Sequence, residues 1–324
     1  MENAIVSFAD RKQIIILVLL VSCLIVIMIS RVNAAAQPSQ SKQMTLIQAT
    51  VLGLVEGLTE YLPISSTGHL LLARDLLGLD SLTSDINDTA SAMEAVNAYL
   101  VCIQFGAILA ILVVCAHRFK LILMGIFKGD ADGRRLLAHL ILALLPAVVI
   151  GLILEGVIKQ FLFGIYPVIL AWFVGGVAIL VIAFIFKSKK IDLHQGKAIE
   201  DMTAKTALLI GLVQCLAMWP GVSRSLATIL GGLFLGLSMP ATVEFSFLLG
   251  AVTLSAASVY DVLKHGQDML AMFDFGSMML GLVVAFVAAI LSVKWMIGYL
   301  NKYGLALFGY YRIAIAVAAF WYFL

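Results

Sequence analysis

Six runs of this chain, at about 98–116, 136–155, 166–186, 241–262, 276–298 and 305–324, are apolar for close to the length needed to cross a bilayer. A chain that carries them has few folds open to it. Inside lipid each backbone N–H and C=O must find its partner within its own segment, so the runs are expected to be helices. Of the 324 residues, 62% are hydrophobic and only 12% charged, which leaves too little polar surface to clothe a soluble domain of this size. The net charge of +2 implies no field strong enough to recruit nucleic acid. The basic residues mark topology instead. Arg118, Lys120, Lys128, Arg134 and Arg135 crowd into 117–135, and Lys187, Lys189, Lys190, Lys197 and Lys205 into the segment after 186, so both are expected on the cytoplasmic side. Residues 156–165 between them carry only Lys159, and Lys294 with Lys302 mark the next cytoplasmic turn.

At the N-terminus, Arg11 and Lys12 precede an apolar run from Ile14 to Ile29, followed by small residues at 34–36. The run is long for a signal peptide and short for a span, so residues 1–36 are expected to be either a signal peptide or a signal anchor. Intact mass of the membrane-extracted protein separates the two. Cys23, Cys102, Cys115 and Cys215 stand alone in apolar runs, and the five histidines are scattered singly, so no zinc-ligand spacing is present.

Two further apolar stretches do not read as spans. Residues 46–79 are broken at Pro63 and Gly68, and residues 206–237 at Pro220 and Gly221, where polar side chains gather. Both are expected to be re-entrant hairpins, because broken backbone at membrane depth is tolerated only against protein or a water-filled cavity. They are also copies. Leu52-Gly53-Leu54-Val55-Glu56 matches Ile210-Gly211-Leu212-Val213-Gln214, and at the same offset of 158 residues Ser65 meets Ser223 and Leu77-Gly78-Leu79 meets Leu235-Gly236-Leu237. A hairpin plus three spans occurs twice, and an odd number of crossings inverts the second copy. The expected fold is an all-α integral membrane protein of two interlocked inverted-topology repeats, about 44–186 and 204–324, forming a single polytopic domain over 44–324. Its site is expected where the hairpins meet.

The first break reads Glu56-Gly57-Leu58-Thr59-Glu60-Tyr61-Leu62-Pro63-Ile64-Ser65-Ser66-Thr67-Gly68-His69. Glu56 and Glu60, four apart, share a helix face and suit one divalent cation or an acid/base pair. Carboxylates at this depth cost on the order of 3 kcal/mol each on insertion scales, so a function is the first expectation; pairing with Arg224 for assembly alone is the plainer alternative. Ser65, Ser66 and Thr67 with free backbone N–H groups can cradle an anion, or a serine can be the nucleophile with His69 taking its proton. Taken alone, a helix-capping run beside a satisfied histidine is the favoured reading, because a serine and a histidine paired only by spacing are a weak signal. The second break, Trp219-Pro220-Gly221-Val222-Ser223-Arg224-Ser225-Leu226-Ala227-Thr228, offers a planar guanidinium flanked by hydroxyls, with Thr228 one turn further on. Together the breaks suit a metal and a phosphate.

At these residues the chain resembles the undecaprenyl-diphosphate phosphatase family, the bacitracin-resistance type, through 56–69 and 220–228. The resemblance runs over about 44–324 and includes Ile103-Gln104-Phe105-Gly106 and Glu244-Phe245-Ser246-Phe247-Leu248-Leu249. It implies a phosphoric anhydride hydrolase of the bacterial inner membrane that removes the terminal phosphate of a C55 polyprenyl diphosphate lipid, recycling the carrier for cell-wall synthesis with Mg²⁺ or Ca²⁺ as cofactor. By motif match, Glu56 and Glu60 are the metal-associated acids, Ser65 or Ser66 the nucleophile, His69 a base or helper, and Arg224 catalytic. Thr67, Ser223, Arg224, Ser225 and Thr228 would bind phosphate. Three departures stand out: Leu226 replaces the glycine usual after Ser-Arg-Ser, Leu100 stands where many members carry an acid, and the first 43 residues are extra. None removes a candidate side chain. A polyprenyl-phosphate transporter or flippase is the competing class, because inverted repeats around a charged midplane site also describe transporters. The expected partners are the lipid substrate and membrane lipids, without nucleic acid; a homo-oligomer is open.

Overall fold

The computed structural model describes residues 44–79, 89–272 and 274–324. The expected leader or anchor at 1–36, and residues 80–88, lie outside the described residues. The apolar runs among the described residues fold as helices, the one local structure that satisfies backbone polar groups without a partner strand. In chain order they are α1 (Leu46–Thr59), α2 (Ser66–Leu76), α3 (Thr89–Val114), α4 (Ala116–Lys128), α5 (Ala131–Leu162), α6 (Ile165–Ser188), α7 (Ala204–Gln214), α8 (Arg224–Phe234), α9 (Met239–Met272), α10 (Phe275–Tyr303) and α11 (Ala306–Phe323). Short 3₁₀ turns at Ile199–Asp201 and Cys215–Met218 join them.

Among the described residues, five stretches are long and apolar enough to cross a membrane: Ala131–Leu154, Ile165–Ser188, Met239–Tyr260, Phe275–Tyr303 and Ala306–Phe323. A sixth, the expected first span, qualifies only when Tyr99–Val114 is joined to Ala116–Lys128 across a bend of 82°. The bend has a cause. Arg118 donates through Nε and Nη2 to the Glu244 carboxylate, at 2.9 Å each, and through Nη1 to Glu200 at 2.6 Å, which pins the start of α4 to the start of α9. Further along α4, Gly125 lies against the backbone of Gly133 and Arg134 at the start of α5. The protein is therefore an all-helical, multi-pass membrane protein.

α1 and α2, and again α7 and α8, form the two hairpins. At 1.5 Å per residue the 14-residue α1 is about 21 Å long and the 11-residue α8 about 16 Å, both short of a hydrocarbon core of roughly 30 Å. The hairpins share their caps and turns at the sequence offset of 158. Thr45 accepts from the Gln48 N–H to start α1, and Thr203 from the Thr206 N–H to start α7. Ser65 caps α2 and Ser223 caps α8, both with positive φ. Gly78 and Gly236 turn the chain out of the hairpins with φ of 64° and 86°.

Each hairpin leans on a long helix from the other half of the chain, α1 along α10 and α7 along α5. Glycine sets the approach. A Cβ on Gly53 would strike the Gly281 carbonyl, and one on its counterpart Gly211 would strike the Ala143 carbonyl. Gly53→Val and Gly211→Val are each expected to destabilise the protein by about 1–3 kcal/mol through overpacking, seen as a lower thermal unfolding midpoint in detergent. Unchanged midpoints in both would mean that the helices do not need backbone contact there.

Candidate functional site

The site is built on two interrupted helices that start inside the protein. After α1 ends, the chain runs through Leu62, Pro63 and Ile64 to Ser65, whose φ of 72° and ψ of 100° lie in a region L-residues avoid; Ser223 repeats this with 78° and 117°. Such conformations cost about 1–3 kcal/mol each and persist only where the surroundings enforce them. Each serine then caps the helix it opens: Ser65 Oγ accepts from the Gly68 N–H at 3.5 Å and Ser223 Oγ from the Leu226 N–H at 3.3 Å. The outcome is two helix N-termini, each with unsatisfied N–H groups and a positive dipole end, opening onto one cavity.

The breaks are stitched together. Ser223 Oγ donates to the Leu62 carbonyl at 3.4 Å and Ser225 Oγ to the Glu60 carbonyl at 3.2 Å. Between them lies the charged centre. Glu60, just past the end of α1, accepts from Arg224 Nη2 on Oε1 at 3.1 Å and from the Ser66 hydroxyl on Oε2. Arg224 also donates through Nη1 to the Ser246 carbonyl at 3.0 Å and lies 5.4 Å over the Tyr61 ring, a cation–π contact. Its guanidinium occupies the space that a side chain at residue 250 would fill, and that residue is glycine.

The cavity measures about 660 Å³. Six of the sequence candidates line it: Glu60, Ser65, Ser66, Thr67, Ser223 and Arg224. The rest of its wall is largely apolar, from Leu144 to Leu152 on α5 and from Leu254 to Ala257 on α9, with Tyr260 beyond. Four candidates lie behind the lining. Ser225 is tied to the Glu60 carbonyl, and Thr228 Oγ1 meets the Arg224 carbonyl at 2.9 Å and Ser246 Oγ at 2.6 Å. His69 places Nδ1 2.6 Å from the Ser65 carbonyl, which makes that nitrogen the donor, and its Nε2 then accepts from the Tyr311 hydroxyl at 2.8 Å. Both ring nitrogens are thus engaged, neither with a serine hydroxyl. Glu56 is 0% exposed, and among the described residues neither of its carboxylate oxygens has a hydrogen-bond partner.

Sequence reasoning missed three residues at this centre. Gln214 lines the cavity with its amide buried and unpartnered, and Gln104 on α3 joins the same wall. Gln214 was visible as the repeat counterpart of Glu56, but an uncharged residue raised no alarm. The third is Arg312, 0% exposed on α11. A lone charge in an apolar run was the signal that could have found it.

A family model described as bacitracin resistance protein BacA matches residues 49–318. The chain is 42% identical over 275 residues to an undecaprenyl-diphosphatase of Sorangium cellulosum (strain So ce56), covering 84% of this chain and 85% of that protein. It is 42% identical over 277 residues to an undecaprenyl-diphosphatase of Cereibacter sphaeroides (strain ATCC 17029 / ATH 2.4.9), covering 85% and 96%. With undecaprenyl-diphosphatase 1 of Chromobacterium violaceum it shares 40% identity over 273 residues, covering 84% and 94%.

Thr228→Val removes a hydroxyl that serves Ser246 and two carbonyls of the α8 start. It is expected to destabilise the fold by about 1–3 kcal/mol, the range for stranding a buried polar partner, measured as a fall in the unfolding midpoint. A midpoint equal to wild type would show that water replaces the hydroxyl.

Proposed function

The chain belongs to the bacitracin resistance protein BacA family, and from that premise we propose that it hydrolyses undecaprenyl diphosphate to undecaprenyl phosphate and inorganic phosphate. One observation carries the reading from the family to these residues: the Ser66 hydroxyl donates to Glu60, whose other oxygen is held by Arg224, at the mouth of two helix N-termini. A hydroxyl on a carboxylate is an activated nucleophile, and a guanidinium with two helix dipoles receives the phosphate charge. The apolar cavity wall suits the isoprenoid chain.

Ser66 Oγ attacks the terminal phosphorus while the bridging P–O bond breaks, and undecaprenyl phosphate leaves with the electron pair. The hydroxyl proton passes to Glu60. Water then attacks the phosphoserine, the P–Oγ bond breaks, and the proton returns from Glu60 to Oγ as inorganic phosphate departs. Arg224 and the N–H groups opening α2 and α8 hold the non-bridging oxygens, and Thr67 and Ser223 add hydroxyls at the lining. Ser65 shapes the turn, and His69, fixed between the Ser65 carbonyl and Tyr311, supports it. Ser225 and Thr228 bind phosphate indirectly, by fixing Glu60 and Arg224.

A divalent cation, Mg²⁺ or Ca²⁺, fits the carboxylates. Among the described residues, neither carboxylate oxygen of buried Glu56 has a hydrogen-bond partner, which leaves both for a cation to use. Among the described residues no three His, Cys, Asp or Glu side chains converge. Glu56 and Glu60 are the residues that would hold the cation. The cation supplies neutralisation of the diphosphate charge.

Several features support two interlocked inverted repeats. The hairpins share caps and positive-φ positions at a fixed offset, and each rests on a long helix of the other half. The cavity wall on α5 and α9 lies beyond the halves that start at the basic segments, which favours opening toward the outer face of the inner membrane. That face suits a carrier recycled for cell-wall synthesis. Transport as the primary activity is disfavoured, because the relatives are named as diphosphatases and moving a lipid needs no serine on a carboxylate.

With purified protein in detergent, Ser66→Ala is expected to lower phosphate release from undecaprenyl diphosphate by at least about a hundredfold. Ser65→Ala loses a cap worth about 1 kcal/mol and is expected to lose more stability than turnover; the reverse order would move the nucleophile to Ser65. Chelation with EDTA should abolish release and Mg²⁺ restore it, and full activity in EDTA would remove the cation from the scheme.

A further inference from the structure

Arg312, 0% exposed on α11, is placed where both hairpin turns can be reached from one side chain. Its five N–H donors all land on backbone carbonyls. Nη1 donates to Pro63 at 3.3 Å and Val222 at 3.1 Å, and Nη2 to Gly221 at 2.7 Å and Ala171 at 2.8 Å, while Nε donates to Trp172 at 3.4 Å. Among the described residues it forms no ion pair. A fully buried guanidinium without a carboxylate is costly, so the position is held by what the donors do.

What they do follows from the repeat. The carbonyl immediately before each positive-φ serine is capped by a buried donor: Ile64 O by Trp172 Nε1 at 2.9 Å, and Val222 O by Arg312. Fixing those carbonyls fixes the peptide planes whose N–H groups belong to Ser65 and Ser223. Arg312 goes further, because it also takes the carbonyl of Pro63 in the first turn while holding Gly221 and Val222 in the second. It is a cross-brace between the two halves of the site. Gly175 makes room for it, since a Cβ there would strike the guanidinium.

We propose that Arg312 is a positioning residue for the phosphatase reaction, setting the distance between the Ser65–Ser66 turn and the Ser223–Arg224 turn without touching substrate. The inference rests on the phosphatase reading above. Arg224, the helix N-termini and the cavity wall still bind the substrate when the brace is loosened, so the loss falls on kcat rather than KM. Misplacement by about 1 Å can cost about a hundredfold in rate.

The test measures kcat and KM for undecaprenyl diphosphate with full-length protein in detergent, for wild type, Arg312→Met, Arg312→Lys and Gly175→Ala. Arg312→Met is expected to lose about a hundredfold in kcat with KM within about threefold of wild type. Arg312→Lys, with three donors for five carbonyls, should fall between. Gly175→Ala keeps the guanidinium but displaces it, and should lower kcat in the same sense, so it decides the matter if Arg312→Met is recovered unfolded. Wild-type kcat in folded Arg312→Met or in Gly175→Ala, or a loss confined to KM, overturns the inference while leaving the phosphatase reading intact. A wild-type protein that releases no phosphate overturns both.

Discussion

A backbone broken inside a bilayer must have each freed carbonyl and amide taken up by something other than water, and the arrangement of this protein follows from that requirement. Pro63 and Gly221 lie where the helices of the two hairpins are interrupted. The carbonyls around them are received by Trp172, Arg312, Ser223 and Ser225, each from an element packed against the break. The residues that open α2 and α8 line the cavity, and the first N–H groups of a helix have no partner within that helix. The same interruption that would be a defect in a spanning helix thus leaves two anion-binding ends aimed at one volume.

The charged centre depends on that framework. Glu60 and Arg224 are about 5% and 11% exposed and come from opposite hairpins, so their contact exists only when both turns are seated. Removing one partner of such a pair strands the other, whereas a hydrophobic pair in their place would often be no less stable. Stability therefore gives no reason for them. The proposed chemistry would give one, because a serine hydroxyl rests on the same carboxylate and Glu56 lies buried with no hydrogen-bond partner among the described residues.

Much of this was legible in the sequence because lipid makes its demands visible in composition. Apolar length gave the long helices, and the two broken stretches, matched at an offset of 158 residues, gave the hairpins and the meeting of Glu60, Ser66, Ser223 and Arg224. The expected first span was less legible. Its apolar run gives no hint of the 82° bend, which comes from Arg118 reaching Glu244 across 126 positions of chain. Residue roles within the motifs were hidden for a similar reason. Sequence spacing puts His69 within reach of Ser65 or Ser66, but its ring nitrogens meet a carbonyl and Tyr311, 242 positions away. Thr228 reads as a phosphate ligand by its place one turn from Arg224, yet its hydroxyl is consumed by Ser246. Arg312 serves both breaks from the last helix, a relation that no local pattern records.

The central claim is that two hairpins from opposite halves of the chain form a single catalytic unit through Glu60 and Arg224. The most direct measurement is a kinetic cycle in one phosphate-release assay with undecaprenyl diphosphate, comparing wild type, Glu60→Gln, Arg224→Lys and the double variant. The account predicts deep losses in each single variant and a double variant scarcely worse than the poorer single, because residues acting as one unit are not additive. Losses that multiply in the double variant would contradict it and divide the two residues between independent roles.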